Sequence, residues 1–287
     1  MAGDRPDILL VGKEKSVIME GLASRVNLHK LIDASDKEGF LKSVADKIRA
    51  IAVTYTNEPI NPDFMRRFPK LEQVSSFGVG YDHVDAKWAG QHGIVVTNTP
   101  EVLNEEVADT ALGLLLCTVR EFPQADRYVR AGKWPQAQYP LTNATLRNRT
   151  VGIVGMGRIG KAIARRLEAF GVPVVYHSRN RQAGVAYKYY PKLVDMARGS
   201  VVDEQALIDA LKSKTIYSAG LDVFVKEPHV PKELLEMDNI VLFPHLGSST
   251  EVTRAAMDKL VVDNLLAWAA GKPPLTPVPE TPYPPKR

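Results

Sequence analysis

Short apolar runs separated by longer mixed stretches recur through the first hundred residues. Asp7–Gly12 (DILLVG) ends in glycine and reads as a strand, as do Ala50–Tyr55 (AIAVTY), Leu71–Phe77 (LEQVSSF) and Gly93–Val96. The stretches between them are long enough for helices, so strand and helix alternate, which implies a parallel sheet. After the turn Asn98-Thr99-Pro100 the period changes: Val107, Ala111, Leu115 and Val119 share one helical face. Asn104 is placed to cap that helix, and Glu105 and Glu106 suit the positive end of its dipole. A Gly- and Pro-punctuated stretch, Gly132–Pro140, follows, and a second strand–helix series opens at Thr150.

Towards the end, Ser248 and Glu251 have capping-box spacing and open a helix running to about Ala270. Seven prolines within Pro273–Pro285 make the last residues an extended tail. The expected fold is α/β: two Rossmann-like domains with parallel sheets and the active site in the cleft between them. Residues 1–99 with 268–287 form a substrate-binding domain in this reading, and residues 100–267 a dinucleotide-binding one. One large irregular α/β domain is the alternative.

Composition changes this picture little. With 37 Lys and Arg against 33 Asp and Glu the formal charge is +4, without a dense basic block, so neither nucleic acid nor membrane is an expected partner. The mild excess suits an enzyme that handles anions. The one cysteine, Cys117, lies in an apolar run, reads as buried and builds no disulfide framework, which favours a reducing compartment. No apolar run approaches the ~20 residues that a membrane span needs. A soluble, cytoplasmic protein without metal is expected.

Val151–Val154 (VGIV) runs directly into Gly155-Met156-Gly157-Arg158-Ile159-Gly160 and then a helix with Ile159, Ile163 and Leu167 on one face. A lone G-x-G-x-x-G is weak, but between strand and helix it has the context that its chemistry requires. Gly155 allows the tight turn, Gly157 lets backbone approach a pyrophosphate, and Gly160 lets helix pack on strand, with the helix N-terminus facing the phosphates. After the next strand, Val172–His177, an NAD site usually carries an acid that binds the ribose 2′-hydroxyl. Here stand Ser178, Arg179, Asn180 and Arg181. Two guanidiniums and a hydroxyl suit a 2′-phosphate, so the sequence favours NADPH (NADP) over NADH.

Three later segments carry candidate chemistry: Arg198-Gly199-Ser200-Val201-Val202-Asp203, Asp222-Val223-Phe224-Val225-Lys226-Glu227-Pro228, and Pro244-His245-Leu246-Gly247-Ser248-Ser249-Thr250. Keto acid reduction needs a cation for the carboxylate and carbonyl, an acid for the developing alkoxide, and a group that orients that acid. Arg, His and Glu supply these in that order. The ordered set resembles the D-isomer-specific 2-hydroxyacid dehydrogenases, closest to glyoxylate/hydroxypyruvate reductases. Gly78-Val79-Gly80-Tyr81-Asp82 and Asn98-Thr99-Pro100-Glu101-Val102 resemble the family as well.

The resemblance covers nearly the whole chain and implies roles. Arg198 would bind the substrate carboxylate and carbonyl, His245 would be the general acid, and Glu227 its partner. The amides of Val79 and Gly80 would clamp the carboxylate. Asp222 would meet the nicotinamide carboxamide, and Asn104 the cofactor. A homodimer reducing a small 2-keto acid to the D-2-hydroxy acid is the implied protein.

One interval departs from the family. Only 20 positions separate Ser178 from Arg198, where a single strand–helix–strand crossover takes ~30 residues. Tyr187–Ala197 (YKYYPKLVDMA) reaches Arg198 without an apolar strand. A true internal deletion would open sheet edges and abolish activity. Alternatively the protein has a further segment that this chain omits, and the intact flanking motifs favour that explanation. The rival functions are a dinucleotide-sensing binding protein on the same fold and an inactive remnant.

Overall fold

Residues 5–142, 145–190 and 203–285 are described by the computed structural model. In the first unit, Met1–Val102 with Thr250–Arg287, the apolar runs become strands β1 (Asp7–Val11), β3 (Ile48–Val53), β4 (Gln73–Ser76) and β5 (Val95–Thr97). A further strand, β2 (Asn27–Lys30), has polar residues at both ends and was not expected. Helices α1 (Ser16–Leu22), α2 (Lys37–Val44), α3 (Pro62–Met65) and α4 (Ala86–Gln91) alternate with them. All five strands are parallel, in the order β2-β1-β3-β4-β5. Parallel sheets are covered on both faces, and Ile8, Leu9, Leu10, Ile51, Ala52 and Val74 are fully buried.

The helix Glu251–Ala269, α10 in chain order, belongs to this unit although the sequence suggested the other. The reason is its apolar face: Met257, Val261, Val262 and Leu265 are buried, and Ser75 Oγ donates to the Val261 carbonyl at 3.3 Å. Its cap is Thr250, whose side chain accepts from Thr253 N, rather than Ser248. The proline-rich tail extends the sheet edge. Pro277 bridges Thr97 in antiparallel fashion, and Val278 N donates to the Val96 carbonyl at 2.9 Å. Prolines are tolerated there because an edge leaves some N–H positions unpaired.

The second unit, Leu103–Ser249, opens with α5 (Asn104–Arg120) and α6 (Phe122–Arg130). Leu103 is the N-cap of α5 and Asn104 its first residue, with no side-chain cap bond, so the expected Asn104 cap is corrected. Then come β6 (Val151–Val154), α7 (Arg158–Ala169), β7 (Val174–His177) and β8 (Lys188–Tyr190), forming a parallel sheet β6-β7-β8. Beyond Asp203 follow α8 (Glu204–Lys212), β9 (Ala219–Leu221), α9 (Lys232–Leu235) and β10 (Ile240–Leu242). β9 pairs with β10 in a separate parallel sheet.

Among the described residues, then, β6 pairs only with β7 and β9 only with β10. Helix α5 touches both parts. Leu112 and Leu115 pack on Ile153, Met156, Leu167 and Tyr176, while a side chain at Gly220 of β9 would collide with Leu114 and Thr118. Glu105 and Asp109 tie α5 to Arg165 and Arg166 of α7. Even so, Ala108 is the only buried residue that α5 contributes, and Cys117 is half-buried rather than buried.

Candidate active site

The chemistry gathers on two loops of the second unit. The first leaves β9 at Asp222, and the second leaves β10 and carries His245. Their strands are paired side by side, so the loops emerge from adjacent carboxyl ends, where open parallel sheets place ligands. His245 Nδ1 lies 2.8 Å from Glu227 Oε2. The other carboxylate oxygen, Oε1, accepts from Phe224 N at 3.0 Å, which fixes the carboxylate against its own loop. With Nδ1 facing the carboxylate, Nε2 is the ring nitrogen left for a substrate.

His245 has φ +54°, a left-handed conformation that costs a non-glycine residue about 1–2 kcal/mol. Asp222 holds it there. Its backbone carbonyl accepts from His245 N at 2.9 Å, and its carboxylate accepts from Leu246 N at 2.6 Å and Gly247 N at 3.0 Å. Sequence reasoning assigned Asp222 to a cofactor amide and missed this clamp. Glu204, also missed, accepts from Val225 N at 2.8 Å and steadies the Glu227 loop from the start of α8. Neither has a local sequence signal, because their partners lie 21 to 25 positions away.

The dinucleotide fingerprint takes the expected shape. β6 enters Gly155, which has φ +96°, and Gly155 N donates to the His177 carbonyl at 2.8 Å. Gly157 is the N-cap of α7, with nothing within 4 Å of where a Cβ would stand. A Cβ on Gly160 would collide with the Gly155 carbonyl oxygen. Met156 is buried in the core of this unit, and Arg158 and Ile159 begin the helix. The open cradle at Gly157 and the 12-residue helix behind it suit a pyrophosphate. At the end of β7, Ser178 Oγ donates to the Asn180 carbonyl, and Arg179 and Arg181 are exposed beside it.

Val79 and Gly80 belong to the first unit, in the loop after β4. Thr99 clamps that loop by accepting from Gly78 N and donating its own N–H to the Gly78 carbonyl, and Asn98 Nδ2 donates to the Val79 carbonyl. Asn104 sits half-buried at the start of α5. Arg198 lies outside the described residues. A cavity of about 1000 Å³ elsewhere in the second unit, where Glu121 accepts from Tyr139 and Tyr217, shares none of these side chains. Among the described residues no cluster of His, Cys, Asp or Glu could hold a metal, and no helix is long and apolar enough to cross a membrane.

Comparison with known proteins shows the family. The family model for the D-isomer specific 2-hydroxyacid dehydrogenase catalytic domain matches residues 8–279. The chain is 41% identical to glyoxylate/hydroxypyruvate reductase A of Arabidopsis thaliana, over 94% of this chain and 98% of that one. It is 38% identical to a glyoxylate reductase of Pyrococcus furiosus, over 84% of each. Among solved structures, the NADPH-dependent glyoxylate/hydroxypyruvate reductase of Sinorhizobium meliloti, in complex with NADP and malonate, superposes with a TM-score of 0.88 at 42% identity, covering 99% of both chains. The Arabidopsis alignment runs over 309 positions, although 94% of this chain is only about 270 residues. About 40 positions of that relative therefore face no residue here.

Proposed function

The chain belongs to the D-isomer specific 2-hydroxyacid dehydrogenases, and from that premise we propose that it reduces a small 2-keto acid, glyoxylate or hydroxypyruvate, to the D-2-hydroxy acid with NADPH. The observation that carries this reading is the His245–Glu227 pair at 2.8 Å on adjacent strand ends, in the same unit as the Gly155–Gly160 turn. The bound cofactor supplies the hydride. His245 Nε2 donates a proton to the oxygen that was the carbonyl, so the C=O bond becomes CH–OH. Glu227 keeps Nδ1 hydrogen-bonded throughout, which orients the ring. Val79 and Gly80 present backbone amides to the substrate carboxylate, and among the described residues neither N–H donates to a protein acceptor. Arg198 completes the set as the cation for carboxylate and carbonyl. Asn104 and the carboxylate of Asp222, which has lone pairs beyond those taken by Leu246 and Gly247, contact the cofactor.

The protein acts in the cytoplasm as a homodimer. Helix α6 has no buried residue, and Phe122, Val129, Trp134 and Leu141 are 49%, 52%, 58% and 95% exposed in succession. Such a patch on one segment fits a second copy. The direct test is absorbance at 340 nm with each keto acid and each reduced cofactor. Light scattering of wild type against a Trp134→Ser/Leu141→Ser variant reads the dimer.

A second reading has its own observation. The split sheet and the half-buried face of α5 support a gap in the second unit, and the relative has roughly 40 positions that face no residue here. On this reading the chain of 287 residues lacks a strand–helix–strand segment before Arg198 and does not turn over. A variant carrying a relative's segment between Ala197 and Arg198 separates the two. Turnover by both chains sinks the second reading. Turnover by the longer chain alone restricts the first reading to that form.

A further inference from the structure

The two amides proposed as the carboxylate clamp belong to peptides whose carbonyls are already held. A trans peptide is planar, with C=O and N–H pointing opposite ways, so a donor on one residue's carbonyl sets the direction of the next residue's N–H. Thr99 N donates to the Gly78 carbonyl at 2.9 Å, which aims the Val79 N–H. Asn98 Nδ2 donates to the Val79 carbonyl at 2.8 Å, which aims the Gly80 N–H. Both N–H groups therefore point away from the Asn98–Thr99 segment, and among the described residues neither meets a protein acceptor. Such holding is needed here. Gly78, at φ +138°, and Gly80 flank Val79, and glycine lets the peptides beside it rotate at little cost. A carbonyl that accepts a bond also polarises its peptide and strengthens its N–H as a donor.

Asn98 is half-buried and is held in turn by the C-terminal tail. Its backbone N donates to the Thr276 carbonyl at 3.3 Å, and its own carbonyl accepts from Thr276 Oγ1 at 2.6 Å. With both backbone groups bonded, the Asn98 side chain reaches out from a fixed position. Thr276 is held by Asn264 of α10, which is fully buried. Asn264 Nδ2 donates to Thr276 Oγ1 at 2.9 Å and to the Leu260 carbonyl at 2.8 Å. Its Oδ1 accepts from Leu275 N at 2.9 Å and Thr276 N at 3.1 Å. Those four bonds use every donor and acceptor position of an asparagine amide, so its orientation is fixed. The helix is tied to the sheet as well, since Lys15 Nζ lies 3.0 Å from the Asp258 carboxylate and Ser75 Oγ donates to the Val261 carbonyl.

A tail that merely closed the sheet edge would need only the backbone bond from Val278 to Val96. The line from Asn264 through Thr276 and Asn98 to the Val79 carbonyl does more. We infer that Asn98 is a positioning residue for the substrate carboxylate, acting through the Gly80 amide, and that Thr276 and Asn264 hold it in place. The inference rests on the clamp reading of Val79 and Gly80 and adds the residues that aim it. A donor aimed beforehand needs no reorganisation when the anion arrives.

Amide NMR of the full chain during titration with glyoxylate tests the relay, with NADP present because it offers no hydride. In wild type the Val79 and Gly80 amide signals both move. In Asn98→Leu, which keeps the bulk and removes the donor, glyoxylate binds about tenfold more weakly, the factor that one charge-assisted hydrogen bond carries. The Gly80 signal then moves less than that of Val79, which Thr99 N still aims; a general loosening of the fold would weaken both alike. Thr276→Val weakens binding in the same pattern, and Thr276→Ser, which keeps the hydroxyl, restores it. Should Asn98→Leu melt early, the two Thr276 variants decide, and equal titrations for them overturn the relay. So does a Gly80-to-Val79 shift ratio in a well-folded Asn98→Leu equal to that of wild type. A wild type in which glyoxylate moves neither amide overturns the clamp reading and the relay with it, whereas movement that wild type and variants share overturns the relay alone.

Discussion

Asp222→Asn isolates the clamp on the catalytic loop. The aspartate carboxylate accepts from Leu246 N at 2.6 Å and Gly247 N at 3.0 Å. Asparagine offers one carbonyl oxygen and one NH2, so one bond survives and the other becomes two donors face to face. A hydrogen bond to a charged acceptor contributes about 1.5–3 kcal/mol, and the half-exposed position discounts this to about 1–2 kcal/mol. That is the same size as the about 1–2 kcal/mol that the left-handed backbone costs at His245. Losing one clamp therefore lets the loop relax and carry the imidazole away from its working position. The expected result is a fall in kcat/KM of about 5–30-fold, mostly in kcat. The transition of the second unit should drop by about 3–6 °C, given its size. Steady-state NADPH oxidation with hydroxypyruvate and a thermal melt read both quantities, on whichever chain form turns over. If Asp222 acted only on the nicotinamide amide, the variant would raise KM for NADPH and leave the melt unchanged. That outcome would refute the clamp.

Other consequences follow from individual contacts. Gly157→Ala should leave the melt near wild type, because nothing stands within 4 Å of the new Cβ, yet weaken NADPH binding in a fluorescence titration. Gly160→Ala, whose Cβ meets the Gly155 carbonyl oxygen, should lower both, and equal melts for the two variants would contradict this geometry. Arg179→Ala with Arg181→Ala should cut the ratio of kcat/KM for NADPH over NADH by about tenfold or more, through KM. Burial holds the His83 imidazole below its ordinary value of 6.5, with Nε2 2.9 Å from Ser76 Oγ. The folded state thus favours the neutral ring, and its contribution is full above 6.5 and lost as pH falls through the lowered value. Wild type should lose more melting temperature between pH 7.5 and 5 than His83→Gln does, and parallel slopes would remove His83 from the account.

What could be read from the chain beforehand follows a physical rule. Strands buried on both faces, such as β1 and β3, are continuous apolar runs and stand out. The edge strands β2 (NLHK) and β8 (KYY) do not, since among the described residues each pairs on one side only and carries polar residues. The Gly155–Gly160 turn is legible because its chemistry is local. His245 and Glu227 could be named from their motifs, whereas the bond between them, 18 positions apart, needs the fold. Lys15 and Asp258 are 243 positions apart and sit in no motif, so nothing along the chain marks them. The shift of the α10 cap from Ser248 to Thr250 reflects two hydroxyl residues competing within a few positions, decided by which side chain reaches an orphan N–H.

The two units differ in how completely they satisfy their own strands, and this has a functional consequence. In the first, five strands lie edge to edge, and the proline tail pairs with the outer one. In the second, β6 carries the nucleotide turn and β9 leads to Asp222, and each has one unpaired side among the described residues. Val151–Val154 is a run of the kind that parallel sheets bury on both faces, yet only Ile153 is buried. Helix α5 has a face of Val107, Ala111, Leu115 and Val119, all of them half-buried, with Leu115 packed on the core of β6 and α7. On the second reading proposed above, a strand–helix–strand segment would pair those edges, and the number of positions of the Arabidopsis enzyme that face no residue here, about 40, is enough for one. The loop after β4 thus leaves a strand paired on both sides, whereas β6 and β9 each keep one side unpaired among the described residues.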